Sequence, residues 1–410
     1  MTKTDRERQR KAPILRFKGF TDAWEQRKLG EMMTERKILR FDSREFPLSS
    51  FIKNKGVVPK SSRYDRSFLV KSNSKKYKET RLGDFIYSSN NLDTGSIGLN
   101  NYGNAVISPV YSVFTSKDTE NLETSFINLL FKKNFYKNKM LRFRQGVTYG
   151  QWKIKENDFL NLKVYTSNSI EIEKIIAIFS KISQCITLYE RKLKLLSQAK
   201  KYFLDNLFAE KEYPNLRFKG FTDAWEQRKL KELGNIKRGA SPRPISDPKW
   251  FDENGKYGWL RISDVTSQNG QVFQIDQHLS SIGEEKTVLI SSPHLIISIA
   301  ATVGKPCINY IPTAIHDGFV AFLDYKFNLD FMFEWFNKNQ NIWLKYGQPG
   351  AQINLNSSII GNQKIKMPEE NEQENIAKLF NILNNLLALY ENKQQHLTEI
   401  KKTLLNTMFI

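Results

Sequence analysis

The sequence predicts an α+β protein: two pseudo-symmetric α/β domains separated by two long antiparallel helices that form a coiled coil. Three observations carry this expectation. First, LRFKGFTDAWEQRKL runs from Leu15 to Leu29 and returns unchanged from Leu216 to Leu230. Identity over fifteen residues at an offset of 201 marks a tandem duplication. Second, the same offset lays LYERK at 188–192 on LYENK at 389–393, and Leu207-Phe208 on Met408-Phe409. Third, residues 40–145 and 241–346 look almost unrelated, so a constant framework carries two different inserts. The chain divides accordingly into a basic flexible tail (1–11), a first domain (12–167), a central long helix (168–210), a second domain (211–368) and a C-terminal long helix (369–410).

After the first box, GEMMTERKILRF continues a helical tendency into a polar region. The next hundred residues read as short strands and turns. FIYSS at 85–89 and the β-type runs within NNLDTGSIGLNNYGNAVISPVYSVF are punctuated by Asn, Asp and Gly. From about Glu171 the pattern changes. Ile172, Ile175, Phe179, Ile182, Ile186, Tyr189, Leu193 and Leu196 step by threes and fours, and Phe203 and Leu207 continue the series across Lys200, with charges such as Glu190 and Lys194 off the seam. At 1.5 Å per residue these 36 residues span about 54 Å. The second copy supplies Ile376, Phe380, Leu383, Leu387, Tyr390, Leu397, Leu404 and Met408. Two matching seams in one chain predict helices that pack on each other, and a chain returning through a whole domain can pair them antiparallel. Lys200 and Lys401 are equivalent polar seam residues and are expected to set register.

Pro214 marks the break before the second box. The Pro-rich, basic KRGASPRPISDPKW follows, and the runs TVLIS, HLIISIAATVG and FVAFL predict buried strands.

The chain carries 63 Lys+Arg against 43 Asp+Glu, a net charge of +20. Such an excess favours a polyanionic partner, and nucleic acid is the usual one. Cys185 and Cys307 support neither a disulfide framework nor a zinc site, consistent with a reduced, cytoplasmic setting. No apolar run reaches the roughly 18 residues of a membrane span. The charged start lacks the apolar segment of a secretory leader.

The candidate DNA-binding residues lie in basic clusters interleaved with amides and aromatics, because cations neutralise phosphates while amides and Arg read base edges. In the first half these are Lys60, Arg63, Arg66, Lys75, Lys76 and Asn90, then Arg142, Arg144, Gln145 and Tyr149 just before the constant region, close to Gln151. In the second half they are Arg238, Arg243, Arg261 and Lys305, then Lys345, Tyr346 and Gln348, which hold the place of Arg144, Gln145 and Val147. Catalytic motifs are missing. The chain contains no Pro-Pro pair, hence no Asn/Asp-Pro-Pro-aromatic motif of adenine methyltransferases, and no GxxxxGK[ST]. Glu-x-Lys triplets such as 284–286 and 190–192 are expected by accident in so Glu- and Lys-rich a chain. His278, His294, His316 and His396 lack ligand spacing, and His316-Asp317 reads as structural.

Two such boxes, each followed by a divergent domain and a long helix carrying LYExK, resemble the specificity subunit of type I restriction–modification systems. GDFIYSS, SPVYSVF, GWLRISDV, LIISIAATVGK and GAQINL look like that family's target-recognition domains. The resemblance implies a non-catalytic reader of double-stranded DNA. Each domain would read one half of a bipartite, asymmetric target, with the coiled coil fixing the gap. It implies two modification subunits that bring S-adenosylmethionine and methylate adenine, and two restriction subunits that use ATP and Mg, with no cofactor on this chain and no membrane. A standalone DNA-binding regulator or scaffold is the alternative, and a nuclease or methyltransferase with its own site a more distant one.

Overall fold

The computed structural model describes residues 12–410 apart from 54, 61–74, 91, 93–95, 148–150, 209, 292, 301 and 347–354. The chain forms two units. The first runs to Tyr189 and takes back Lys393–Ile410; the second is Glu190–Asn392. The long helices Ser169–Leu207 and Glu370–Thr407 each contribute one part to each unit.

The duplicated framework is the same in both units. In the first, the box strand Glu25–Lys28 pairs antiparallel with Lys163–Thr166, Glu25 opposite Thr166. In the second, Glu226–Lys229 pairs with Lys364–Met367, Glu226 opposite Met367. The box is further tied to a helix end, Leu15 N–H donating to Thr407 O and Leu216 N–H to Asn206 O, each at 2.9 Å. Beneath the strand, Trp24 and Trp225 are buried. Arg16 Nε and Nη2 donate to the two carboxylate oxygens of Glu171 at 2.8 and 2.7 Å, and Trp24 Nε1 donates to the same carboxylate at 3.1 Å. Arg217, Trp225 and Glu372 repeat the arrangement at 2.8, 2.8 and 3.1 Å. A charge-assisted fork of this kind fixes orientation as well as adding energy. Much of the identity between the boxes therefore has a structural cause, because Arg, Trp and the strand residues each have a defined partner.

Along the seams, Ile175 and Phe179 are buried, and Ile182, Ile186, Tyr189, Leu193 and Leu196 half-buried, while most residues between them face solvent. Phe380 and Leu383 are buried, and Leu387, Tyr390 and Leu397 half-buried. Within each unit the two helix segments run antiparallel. In the second, Phe208 meets Phe380 (ring centroids 5.8 Å) and Lys192 lies over Tyr390 (5.0 Å). In the first, Phe409 meets Phe179 (5.8 Å) and Lys401 Nζ donates to Ser183 Oγ (2.7 Å). Lys200 Nζ donates to Asn384 Oδ1 (2.7 Å) and to Glu334 (3.1 Å). Both seam lysines thus make a cross-helix bond at equivalent positions.

The inserts differ in architecture. The first holds a four-stranded sheet ordered Met33–Glu35, Tyr111–Ser116, Phe85–Ser88, Ile97–Leu99, and a three-stranded one ordered Leu39–Arg40, Tyr77–Thr80, Ala105–Ile107. Its core is aromatic: Phe85, Tyr87, Phe114 and Phe159 are fully buried, Phe85 stacking on Phe159 at 5.8 Å. The second holds a five-stranded sheet ordered Asn235–Arg238, Phe319–Leu323, Leu295–Ser298, Pro306–Asn309, Gln271–Val272, and a three-stranded one of Gly258–Trp259, Thr313–Ile315 and Val288–Ile290. The strands expected at FIYSS, TVLIS, HLIIS and FVAFL form where the apolar runs lie. The helical continuation after the first box does not. It stops after Leu29–Met32, because Met33–Glu35 is drawn into the sheet opposite Phe114–Ser116. Sheet pairing here overrides local helix propensity.

Candidate nucleic-acid interface

In the first unit the hairpin Gln145–Val147/Gln151–Lys153 brings three of the expected residues together. Arg144, just before it, donates from Nη2 to Ser89 O at 2.9 Å, and its guanidinium lies 5.4 Å from the centre of the Trp152 ring. Asn90 Oδ1 accepts from Trp152 N–H at 2.5 Å. Arg144 is thereby half-buried and held over an exposed indole, a contact that suits a planar cation. Gln145 is exposed at the start of the hairpin, and Arg142 is exposed at the end of helix Asn134–Leu141. Arg63, Arg66, Tyr149 and Gln348 lie outside the described residues, as does the Gln151 side chain.

Lys60, Lys75 and Lys76 are exposed. Lys75 Nζ sits 5.8 Å from the Tyr77 ring centre and Lys76 Nζ 5.4 Å from that of Phe41. The register opposes Leu39 to Lys78 and Arg40 to Tyr77. Beside these lysines is a cluster that the sequence reading missed. Glu79 is fully buried, yet Arg40 and Arg81 both donate to it from Nε, Arg81 at 2.7 Å, and Arg36 Nη1 lies 3.6 Å away. Arg36 also forks onto Asp84 at 2.8 and 3.1 Å. Burial would raise the Glu79 pKa, but the hydrogen bonds and charges of Arg40 and Arg81 outweigh it and hold the carboxyl below the usual range. The available signal was a lone glutamate in the basic stretch KKYKETR; its arginine partner Arg40 lies 39 residues away.

In the second unit Arg238 and Arg243 gather on Asp317. Arg238 Nε donates to Asp317 O at 2.9 Å, Arg243 lies 3.7 Å from the carboxylate, and Ser241 Oγ donates to it at 2.6 Å. The Ser241 bond leads the causes that hold Asp317 below the ordinary carboxylate range, despite partial burial. His316 Nδ1 accepts from Gly318 N–H at 2.9 Å, and burial lowers its pKa, so the ring is a neutral strand-end acceptor. Lys305 Nζ donates to Thr266 Oγ1 at 3.3 Å. Its neighbour Gly304 has φ +78°, and a Cβ there would stand 2.1 Å from the Trp343 ring, so only glycine admits this turn. Lys345 and Tyr346 are exposed, the ammonium 5.1 Å from the phenol ring centre. They end a 3₁₀ turn, Gln340–Tyr346, which at the offset of 201 corresponds to residues 139–145, the end of helix Asn134–Leu141 and the first residue of the hairpin. Arg261 stands apart from this group chemically. It bonds Gln277 and lines a cavity of about 770 Å³ whose rim also carries Asp252, Glu253, Asp264 and Asp276.

Among the described residues no cluster of three or more His, Cys, Asp or Glu is placed to hold a metal ion. Nor is any described helix long and apolar enough to cross a membrane.

Residues 222–399 match the family described as Type I restriction modification DNA specificity domain. Among solved structures, the chain is similar to the S subunit of a type-I restriction-modification system from M. genitalium. The identity is 14%, covering 97% of this chain and 99% of that one, with a TM-score of 0.62. It is also similar to a chain from a structure describing complex assembly and conformational transition of the type I R-M system, at 16% identity over 94% of this chain and 97% of that one, TM-score 0.50. These likenesses extend over nearly the whole chain and establish the two-unit α+β fold.

Proposed function

We propose that this chain is a specificity subunit of a type I restriction–modification system and that it reads a bipartite, asymmetric DNA target. Each unit contributes one insert to one half-site, and the paired helices set the gap. The chain itself performs no bond-making. It directs adenine methylation and restriction by partner subunits, two modification subunits supplying S-adenosylmethionine chemistry and two restriction subunits using ATP and Mg. All of them act in the cytoplasm.

The observation that carries this reading is the contrast between frame and insert. The box strand, the Arg–Trp–Glu fork and the seam lysine recur at a constant offset, whereas the sheets they hold differ in strand number and order. Two different readers on one repeated frame select two different short sequences. An asymmetric interrupted site is what such a pair recognises, and half-sites about 34 Å apart would lie on one face of a duplex. The net charge of +20 supports binding to a polyanion.

Long-read mapping of methylated adenine in cells with and without this gene tests the proposal, and loss of one bipartite motif is expected. Replacing residues 31–150 with the corresponding insert of a relative should change one half-site and leave the other intact. A simultaneous change of both would refute independent reading. Methyl transfer by the purified chain alone would make it an enzyme in its own right.

A further inference from the structure

The arginine cluster on the three-stranded sheet of the first unit has the form of a built anion site. Along strand Tyr77–Thr80 side chains alternate between faces, so Tyr77, Glu79 and, just past its end, Arg81 share one face, and the register places Arg40 opposite Tyr77. Arg40 and Arg81 converge on opposite oxygens of Glu79 and flank the Phe46 ring, their guanidinium carbons 4.6 and 5.8 Å from its centre. Burial is divided unevenly. Glu79 and Asp84 are 0% and 1% exposed and Arg36 14%, but Arg40 and Arg81 keep 44% and 47% of their side-chain surface in solvent. Three guanidiniums share two carboxylates, leaving a positive charge in excess, with exposed Lys75 and Lys76 alongside. Arg40 and Arg81 each give only Nε to Glu79, and no other side-chain hydrogen bond from either occurs among the described residues. Arginine has five N–H donors in a fixed fork, so four on each remain for an outside acceptor.

A purely structural ion pair would bury the guanidiniums with the carboxylate. Here the carboxylate is buried and the cations stand half out, rigidly aimed. We propose that Arg40 and Arg81 clamp one backbone phosphate of the DNA bound by the first unit, and that Glu79 is the positioning residue that aims them. The inference rests on the DNA-reading function above. Phosphate is favoured over a base edge because the exposed groups here are cations, two guanidiniums flanking the Phe46 ring with Lys75 and Lys76 alongside, and forked guanidiniums take a phosphate bidentately.

The test uses the full purified chain and two duplexes of unrelated sequence, with affinity measured across a salt series. The R40A/R81A variant should bind both duplexes tenfold or more weakly, and its salt slope should fall by about 0.9, the value for one phosphate contact. Glu79→Gln gives the sharper result. Removing a negative charge beside a polyanion site should tighten binding on charge alone, whereas loss of aim should weaken it several-fold. If E79Q does not fold, as judged by thermal melting, R40K/R81K replaces it: charge is kept, the fork is lost, and weaker binding is again expected. A folded R40A/R81A with unchanged affinity and slope overturns the clamp, and so does loss confined to one duplex. Tighter binding by E79Q, or unchanged binding by R40K/R81K, overturns the aiming role. An unmodified chain that binds neither duplex removes the DNA-reading function and the clamp together.

Discussion

Glu171 is the residue on which the first unit's frame converges. Its carboxylate is 1% exposed and accepts from Arg16, Trp24 and Ser167. Glu171→Ala would leave the Trp24 indole N–H with no acceptor and the Arg16 guanidinium with only Asp22 O, and removal of one partner from a buried pair costs about 3–5 kcal/mol. Chemical denaturation of E171A followed by Trp fluorescence should show that loss. The same residue makes a pH prediction. Burial pushes its pKa up, but the bonds from Arg16, Ser167 and Trp24 and the Arg16 charge outweigh burial and hold it below the ordinary 4.5. A carboxyl depressed in the folded state contributes its stability above the unfolded value and loses it as pH falls through the folded one. The wild-type melting temperature should therefore drop through the acid range below about 4.5, and E171Q should show a flatter acid limb from a lower starting point.

At the scale of elements, the two seam lysines are equivalent by sequence but not by surroundings. Lys200 reaches Glu334, a carboxylate 1% exposed, as well as Asn384. Lys401 reaches Ser183, whose hydroxyl also donates to Phe179 O at 2.6 Å. Lys200→Met would strand the Glu334 charge and should cost about 3 kcal/mol or more. Thermal melting of this variant against the unaltered chain would measure that loss. The helices themselves were legible because a three-four spacing over eight positions has one geometric meaning. Strand positions were legible for the same reason, since apolar runs mark what is buried. Strand order was not, because nothing local in Phe85–Ser88 says that Tyr111–Ser116 will be its neighbour. The helices Leu122–Leu130 and Leu329–Lys338 went unread between stronger β-type signals. The candidate interface was legible as charge but not as geometry. Arg144 is visible as a cation, whereas its seat on Trp152 depends on a hairpin closing, and the Arg40–Glu79–Arg81 cluster joins segments that only the sheet register brings side by side.

For the molecule as a whole, the proposed division of labour between inserts and helices predicts separable effects. Deleting residues 186–192 together with 387–393 removes one heptad from each seam at equivalent positions. Methylome mapping of that variant should return the same two half-sites with a different gap, or no modification at all; altered half-sites would argue against helices as the spacer. A net charge of +20 also predicts DNA affinity that falls steeply with ionic strength, with log K linear in log salt.

The fork that seats each insert has a consequence beyond stability. Arg16 and Glu171 are 155 residues apart, and so are Arg217 and Glu372. The divergent inserts, residues 40–145 and 241–346, lie inside those intervals, and the forks latch them at the rim. Because the two boxes share the same fifteen residues, an exchange beginning there would carry an entire insert into a matching socket. New target preferences would then arise in one step by reshuffling intact cassettes, without passing through misfolded intermediates.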